Sequence, residues 1–122
     1  YNIIMGTDLF GLSEAEKKVV ANIAYYYYKG DPDDEDDNFR SLSEPEKMMT
    51  IKLTAIFRLA RALDQSHKQK IKTIDVSLKN RELLIEAHCG DEDISLERWI
   101  FEEESRYFGE VFGLTATLRQ RR

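Results

Sequence analysis

The stretch RLARALDQSHKQK, Arg58 to Lys70, gathers Arg58, Arg61, His67, Lys68 and Lys70 around a single acid, Asp64. Arg58 and Arg61 fall one helical turn apart. The planar fork of arginine suits phosphate oxygens, and lysine adds a compact point charge. The chemistry these residue types suit is anion binding. Cations near a helix C-terminus also favour the helix dipole with no ligand at all, so the residues alone leave both readings open. The setting sharpens the contrast. The chain has a formal net charge of −5, yet residues 58–72 carry five Lys/Arg and one Asp.

Other chemistries find less support. Asp64 and His67 are three apart and share a helical face, which makes them a weak alternative as metal ligands. They are only two donors, and Arg61, Lys68 and Lys70 around them oppose a cation. Cys89 has His88 beside it, but neighbouring strand residues point to opposite faces, so the two form no nucleophile–base pair. Neither a G-x-S-x-G nor a phosphate-loop pattern occurs. DPDDEDD, residues 31–37, holds six acids in seven positions. It reads as a mobile, self-repelling loop, without the ligand spacing and central glycine of a calcium loop. Tyr25–Tyr28 covers a full turn, so its rings divide between core and surface.

The elements that must position the basic stretch are predicted from periodicity. The chain opens YNIIMGTDLFGLS with no initiator Met and an apolar cluster already under way. That opening reads as a fragment beginning partway through a helix or its exit. S-E-A-E at Ser13–Glu16 is a capping box, followed by Val19, Ile23, Tyr26 and Tyr27 at helical spacing until Gly30 and Pro32. S-E-P-E at Ser43–Glu46 starts the next helix, with proline acceptable in the first turn. From Met48 to Leu63 that helix is apolar around most of its circumference, which predicts a central, buried helix. Its polar exceptions, Thr54, Arg58, Arg61 and Asp64 or Gln65, line one stripe.

After Lys70 the period becomes two. Ile74, Val76 and Leu78 alternate with polar residues, as do Leu83, Ile85 and Ala87, with Lys79-Asn80-Arg81 as the hairpin turn. Gly90-Asp91-Glu92 predicts a second turn into a third short strand at Ile94 and Leu96. A helix follows with Phe101, Phe108, Val111 and Phe112 on one face and Gly113 as terminator. Leu114–Leu118 returns as a final strand. The expected fold is α+β: a helical part over 1–70, then a small antiparallel sheet in β-β-β-α-β order over 71–122, packed on it as one compact unit.

A length of 122 residues, 42% hydrophobic and 34% charged, suits a single globular domain. No run of about 18 apolar residues occurs, so no membrane partner is expected, and the N-terminus has no secretory pattern. The lone Cys89 favours a reducing cytosol, hence a cytoplasmic location. The acidic balance argues against nucleic acid as partner.

The segments LFGLSEAEKKVVANIAYYYYKGDP, LSEPEKMMTIKLTAIFRLARALDQSHKQKI and YFGEVFGL together resemble the C-terminal region of bacterial exopolyphosphatase/guanosine pentaphosphate phosphohydrolase (Ppx/GppA) proteins. The most specific pieces are R-L-A-x-A-L-D-x-S-H, Arg58 to His67, and F-x-x-V-F-G, Phe108 to Gly113. The resemblance implies an HD-like helical part, truncated at its N-terminus, and a small α/β tail. It implies two actin-like domains N-terminal to them that hydrolyse phosphoanhydrides with a divalent cation, magnesium. It further implies a homodimer and a basic channel for inorganic polyphosphate or guanosine pentaphosphate, to which Lys29 would add a cation, and no cofactor in this region itself. Two departures stand out. The family often reads A-R-Y-H-R-K where this chain has Ala24-Tyr25-Tyr26-Tyr27-Tyr28-Lys29. It also usually carries Asp at Arg61, where an HD enzyme would place a metal ligand.

Three functions follow as expectations. The first is an anion-binding and dimerising module of a phosphoanhydride hydrolase, not itself catalytic. The second is an autonomous HD-type metal phosphohydrolase using Asp64 and His67. The third is a ligand-free interaction module whose aromatic ending, Trp99, Phe101, Tyr107, Phe108 and Phe112, is interface instead of core.

Overall fold

Both predicted capping boxes close in the computed structural model, which describes residues 1–6, 11–27 and 30–121. The Ser13 hydroxyl accepts from the Glu16 amide at 3.1 Å and Glu16 accepts from the Ser13 amide at 3.0 Å, starting α2 (Glu14–Tyr26) after the short α1 (Asn2–Gly6). Ser43 and Glu46 repeat the exchange at 3.3 and 2.7 Å to start α4 (Glu44–Ala62). Each box satisfies two amides that the first helical turn otherwise leaves without a partner. α2 buries Val19, Ile23 and Tyr26 as its spacing predicts, while Tyr25 and Tyr27 are half-buried; Tyr28 lies outside the described residues.

Between these helices the acidic run does not behave as a free, self-repelling loop. It folds into a turn and the single-turn α3 (Asp37–Arg40), because its carboxylates have local partners. Asp36 accepts from the buried Tyr26 hydroxyl at 2.6 Å, Asp34 pairs with Lys47 at 2.8 Å, and Asp33 accepts from the Glu35 amide. Phe39 is buried with Tyr26 and Leu42 in a small cluster. These residues belong to a first compact unit, Tyr1–Thr54.

The second unit is Ala55–Arg122. It holds β1 (Thr73–Lys79), β2 (Glu82–His88), α5 (Ser95–Phe112) and β3 (Thr115–Arg121), in the sheet order β1-β2-β3. The α+β class is as expected, and the differences are local. β1 and β2 are antiparallel across a two-residue turn in which Asn80 (φ 52°) and Arg81 (φ 62°) are both left-handed, the geometry that matches strand twist. β3 pairs parallel with β2, so the sheet is mixed and not purely antiparallel, because α5 carries the chain back to the starting end of β2.

The third strand expected at Ile94 and Leu96 is instead the entry to α5. Asp93 accepts from both the amide and the hydroxyl of Ser95, at 2.9 and 2.5 Å, and these bonds hold the exposed Asp93 carboxyl below its ordinary range. Ile94, Phe101 and Phe108, at heptad spacing, enter the core with Ala55, Leu59, Ala62, Ile85, Ala87, Cys89 and Leu118. Gly113 ends α5 at φ 67°, as its sequence position predicts.

α4 corrects a further expectation. Met48, Met49, Ile56 and Phe57 are exposed, while the polar stripe faces inward: Thr54 and Arg58 are buried and Arg61 is half-buried. The reason for the two arginines lies on α5.

Candidate anion-binding site

The last turns of α4 carry Arg58 and Arg61 beside α5. Arg58 is only 7% exposed, with its guanidinium carbon 5.1 Å from the centroid of the Tyr107 ring. That placement gives a buried cation a π-face. Arg61 Nη2 donates to Glu104 Oε1 at 3.0 Å. α4 then unwinds through tight turns, with the Asp64 amide bonding the Arg61 carbonyl and the His67 amide bonding the Asp64 carbonyl. His67 (φ 59°) and Gln69 (φ 51°) are left-handed. The loop keeps this conformation because carboxylates take its amides: Asp64 accepts from Gln69, and Glu97 accepts from Ser66 at 2.8 Å.

Glu97 is the centre of the arrangement. It is 1% exposed, and its Oε1 has no hydrogen-bond partner among the described residues, although Lys70 Nζ lies 3.8 Å away. Burial pushes its carboxyl upward. The amide and hydroxyl of Ser66, with the Lys70 charge, outweigh that and hold it below the ordinary carboxylate range. Lys70 also donates to the Asp93 carbonyl at 2.6 Å.

The predicted residues therefore divide. Arg58, Arg61 and Lys70 are each engaged from the α5 side, by Tyr107, Glu104 and Glu97 in turn. His67 and Lys68 stand exposed at its tip. Lys29 lies outside the described residues. Asp64, offered as a metal ligand with His67, uses its carboxylate to hold Gln69. Among the described residues no group of three His, Cys, Asp or Glu is placed to hold a metal ion. Two donors flanked by lysines do not fit an HD-type metal centre.

Glu97 and Glu104 escaped the sequence reading, which named Tyr107 only within the aromatic ending, and the two acids lower the formal excess of the basic stretch from four charges to two. The available signal was the seven-residue spacing of the two acids, each three residues after a member of the buried Ile94, Phe101 and Phe108 series. Such a spacing puts both acids on one flank of the helix.

The family sequence model described as Ppx/GppA phosphatase, domain III, matches residues 1–101. The chain belongs to the Ppx/GppA phosphatase family. A search of curated proteins found no match. The domain III match contains all of Arg58–Lys70 and Glu97, whereas Glu104, Tyr107 and the Phe108–Gly113 pattern follow it. Two of the partners of the arginines thus come from beyond the matched residues.

Proposed function

We propose that the chain is an accessory module of a phosphoanhydride hydrolase, supplying a contact for inorganic polyphosphate or guanosine pentaphosphate and a homodimerisation surface. Hydrolysis and its magnesium belong, in this reading, to actin-like domains of the parent protein, which acts in the cytoplasm. The observation that carries the proposal is the match to Ppx/GppA phosphatase, domain III, across the basic loop. The division within that loop supports a division of roles. Arg58, Arg61 and Lys70 form a frame engaged by α5, in which Glu104 and Glu97 offset two of the three charges, and His67 and Lys68 make the contact to the anion. A partly buried, engaged frame beneath an exposed lysine and an exposed imidazole orients the contact groups while leaving them accessible.

Titration of the 122-residue chain with long-chain polyphosphate tests this. The His67→Ala, Lys68→Ala double variant is expected to bind about tenfold more weakly, since two charge-assisted contacts are lost. Unchanged affinity in a variant with wild-type helicity overturns the assignment.

A further inference from the structure

The strand β1 is exposed at all seven positions, although its sequence alternates as a half-buried strand should. Ile74, Val76 and Leu78 lie opposite Ala87, Ile85 and Leu83, on the sheet face that α5 covers farther along. They nevertheless remain 42, 56 and 63% exposed. Among the described residues β1 is also the sheet edge. The two-residue turn closes on the Lys79–Glu82 pair, which in such a hairpin exchanges hydrogen bonds. Alternation then directs the N–H and C=O groups of Leu78, Val76 and Ile74 away from β2, toward the open edge. The same three residues thus present an unpaired backbone ladder and an uncovered apolar row. Natural edges usually interrupt such a row with a charge, a proline or a bulge, and between Thr73 and Leu78 the apolar row has none.

We infer that β1 pairs antiparallel with β1 of a second copy about a two-fold axis through Ser77, joining two sheets into one of six strands. This rests on the dimerisation reading above and locates its interface. Charge selects the register. With Ser77 opposite Ser77, Asp75 of each copy faces Lys79 of the other in both symmetry-related positions, and Val76 faces Leu78. Centring one pair earlier, on Val76, leaves Asp75 opposite Ser77. Centring on Asp75 sets two carboxylates against each other, which is destabilising. The register through Ser77 also places the Asp75–Lys79 pairs at positions where no ladder hydrogen bond intervenes and side chains approach most closely. An isologous contact of this kind closes as a dimer and leaves no further β1 edge exposed. Its area falls below that of a standard interface, so the dimer is weak and concentration-dependent.

Sedimentation velocity across the micromolar range tests the proposal on four chains. Wild type is expected to pass from monomer to dimer. Val76→Lys, at an exposed position, is expected to remain monomeric with unchanged far-ultraviolet circular dichroism. Lys79→Asp should weaken association about tenfold, because two attractive pairs become repulsive. The Asp75→Lys, Lys79→Asp exchange restores both pairs in reversed order, although it removes the contact of Asp75 Oδ2 with His88 Nε2 at 2.7 Å within each chain, and should recover part of that loss. A wild-type dimer that Val76→Lys and Lys79→Asp leave intact overturns the β1 interface while dimerisation stands. A wild-type chain that stays monomeric overturns both. Open-ended assemblies overturn the closed two-fold.

Discussion

Glu97 holds the basic loop by two means, an acceptor oxygen for the Ser66 amide and a negative charge for Lys70. The two are separable. Glu97→Gln keeps an oxygen that can accept from Ser66 but offers Lys70 no charge, and Glu97→Ala removes both. Truncation of a buried, hydrogen-bonded carboxylate leaves the Ser66 amide and the Lys70 ammonium uncompensated, at a cost of about 2–3 kcal/mol; the glutamine should cost less. Acidity gives the sign of a second expectation. The folded-state value of Glu97 lies below the reference of 4.5. Its contribution to stability is therefore complete above the unfolded value and is lost as pH falls through the folded one. Denaturant titrations from neutral pH down through the carboxylate range should show wild type losing more stability than Glu97→Gln. Parallel losses would show that the charge contributes nothing and the hydrogen bond everything. The loop matters for function in this picture because Glu97 and Asp64 fix the two left-handed residues, His67 and Gln69, on either side of Lys68.

Among the elements, the β1–β2 hairpin carries a local strain that a single change relieves. Arg81 holds φ 62° in the second turn position, where a Cβ costs about 1–2 kcal/mol and glycine nothing. Arg81→Gly makes the preferred Asn-Gly turn and is expected to raise stability by about 1 kcal/mol in denaturant titration; a fall would show that the arginine side chain outweighs its backbone cost. The Thr115 amide bonds the Arg81 carbonyl, a contact that the substitution keeps. This turn was legible in the sequence, as were both capping boxes and the Gly113 stop, because each signal lies within three or four residues of its effect. Ile94-Ser95-Leu96 was not, since three residues fit either period and the deciding features are the Asp93–Ser95 hydrogen bonds and the later Phe101 and Phe108. The inward stripe of α4 was misread for a related reason. Arg58 and Arg61 look like surface until Tyr107 and Glu104 arrive, the latter 43 residues later. The basic cluster itself was visible in the sequence; its neutralisation depended on tertiary pairing.

Taken whole, the molecule opposes the anion that its basic loop would hold. Residues 58–72 are formally +4, which leaves −9 over the rest of a chain of net −5. A polyanion approaching from beyond a Debye length, about 10 Å at 0.1 M salt, meets a repulsive field, and only close to His67 and Lys68 does attraction take over. Salt therefore acts in two directions, screening the contact and the repulsion together. A protein with many phosphate contacts shows a steep logarithmic salt slope, with about 0.7 per neutralised phosphate on a single-stranded polyanion. An exposed lysine beside an imidazole donor, set against a residual negative field, should give a slope no steeper than about −1.5, and Lys68→Ala should reduce it by about 0.7. Polyphosphate titrations between about 50 and 200 mM salt measure both values. A slope of about −4 in wild type would mean that Arg58, Arg61 and Lys70 leave Tyr107, Glu104 and Glu97 to reach the ligand, which makes the frame a participant. A shallow slope that Lys68→Ala does not change would instead place the contact elsewhere on the chain. The frame-and-tip arrangement requires the shallow slope and its dependence on Lys68 together, because α5 engages all three frame residues in the folded protein, two of them through acids, whether or not an anion is present.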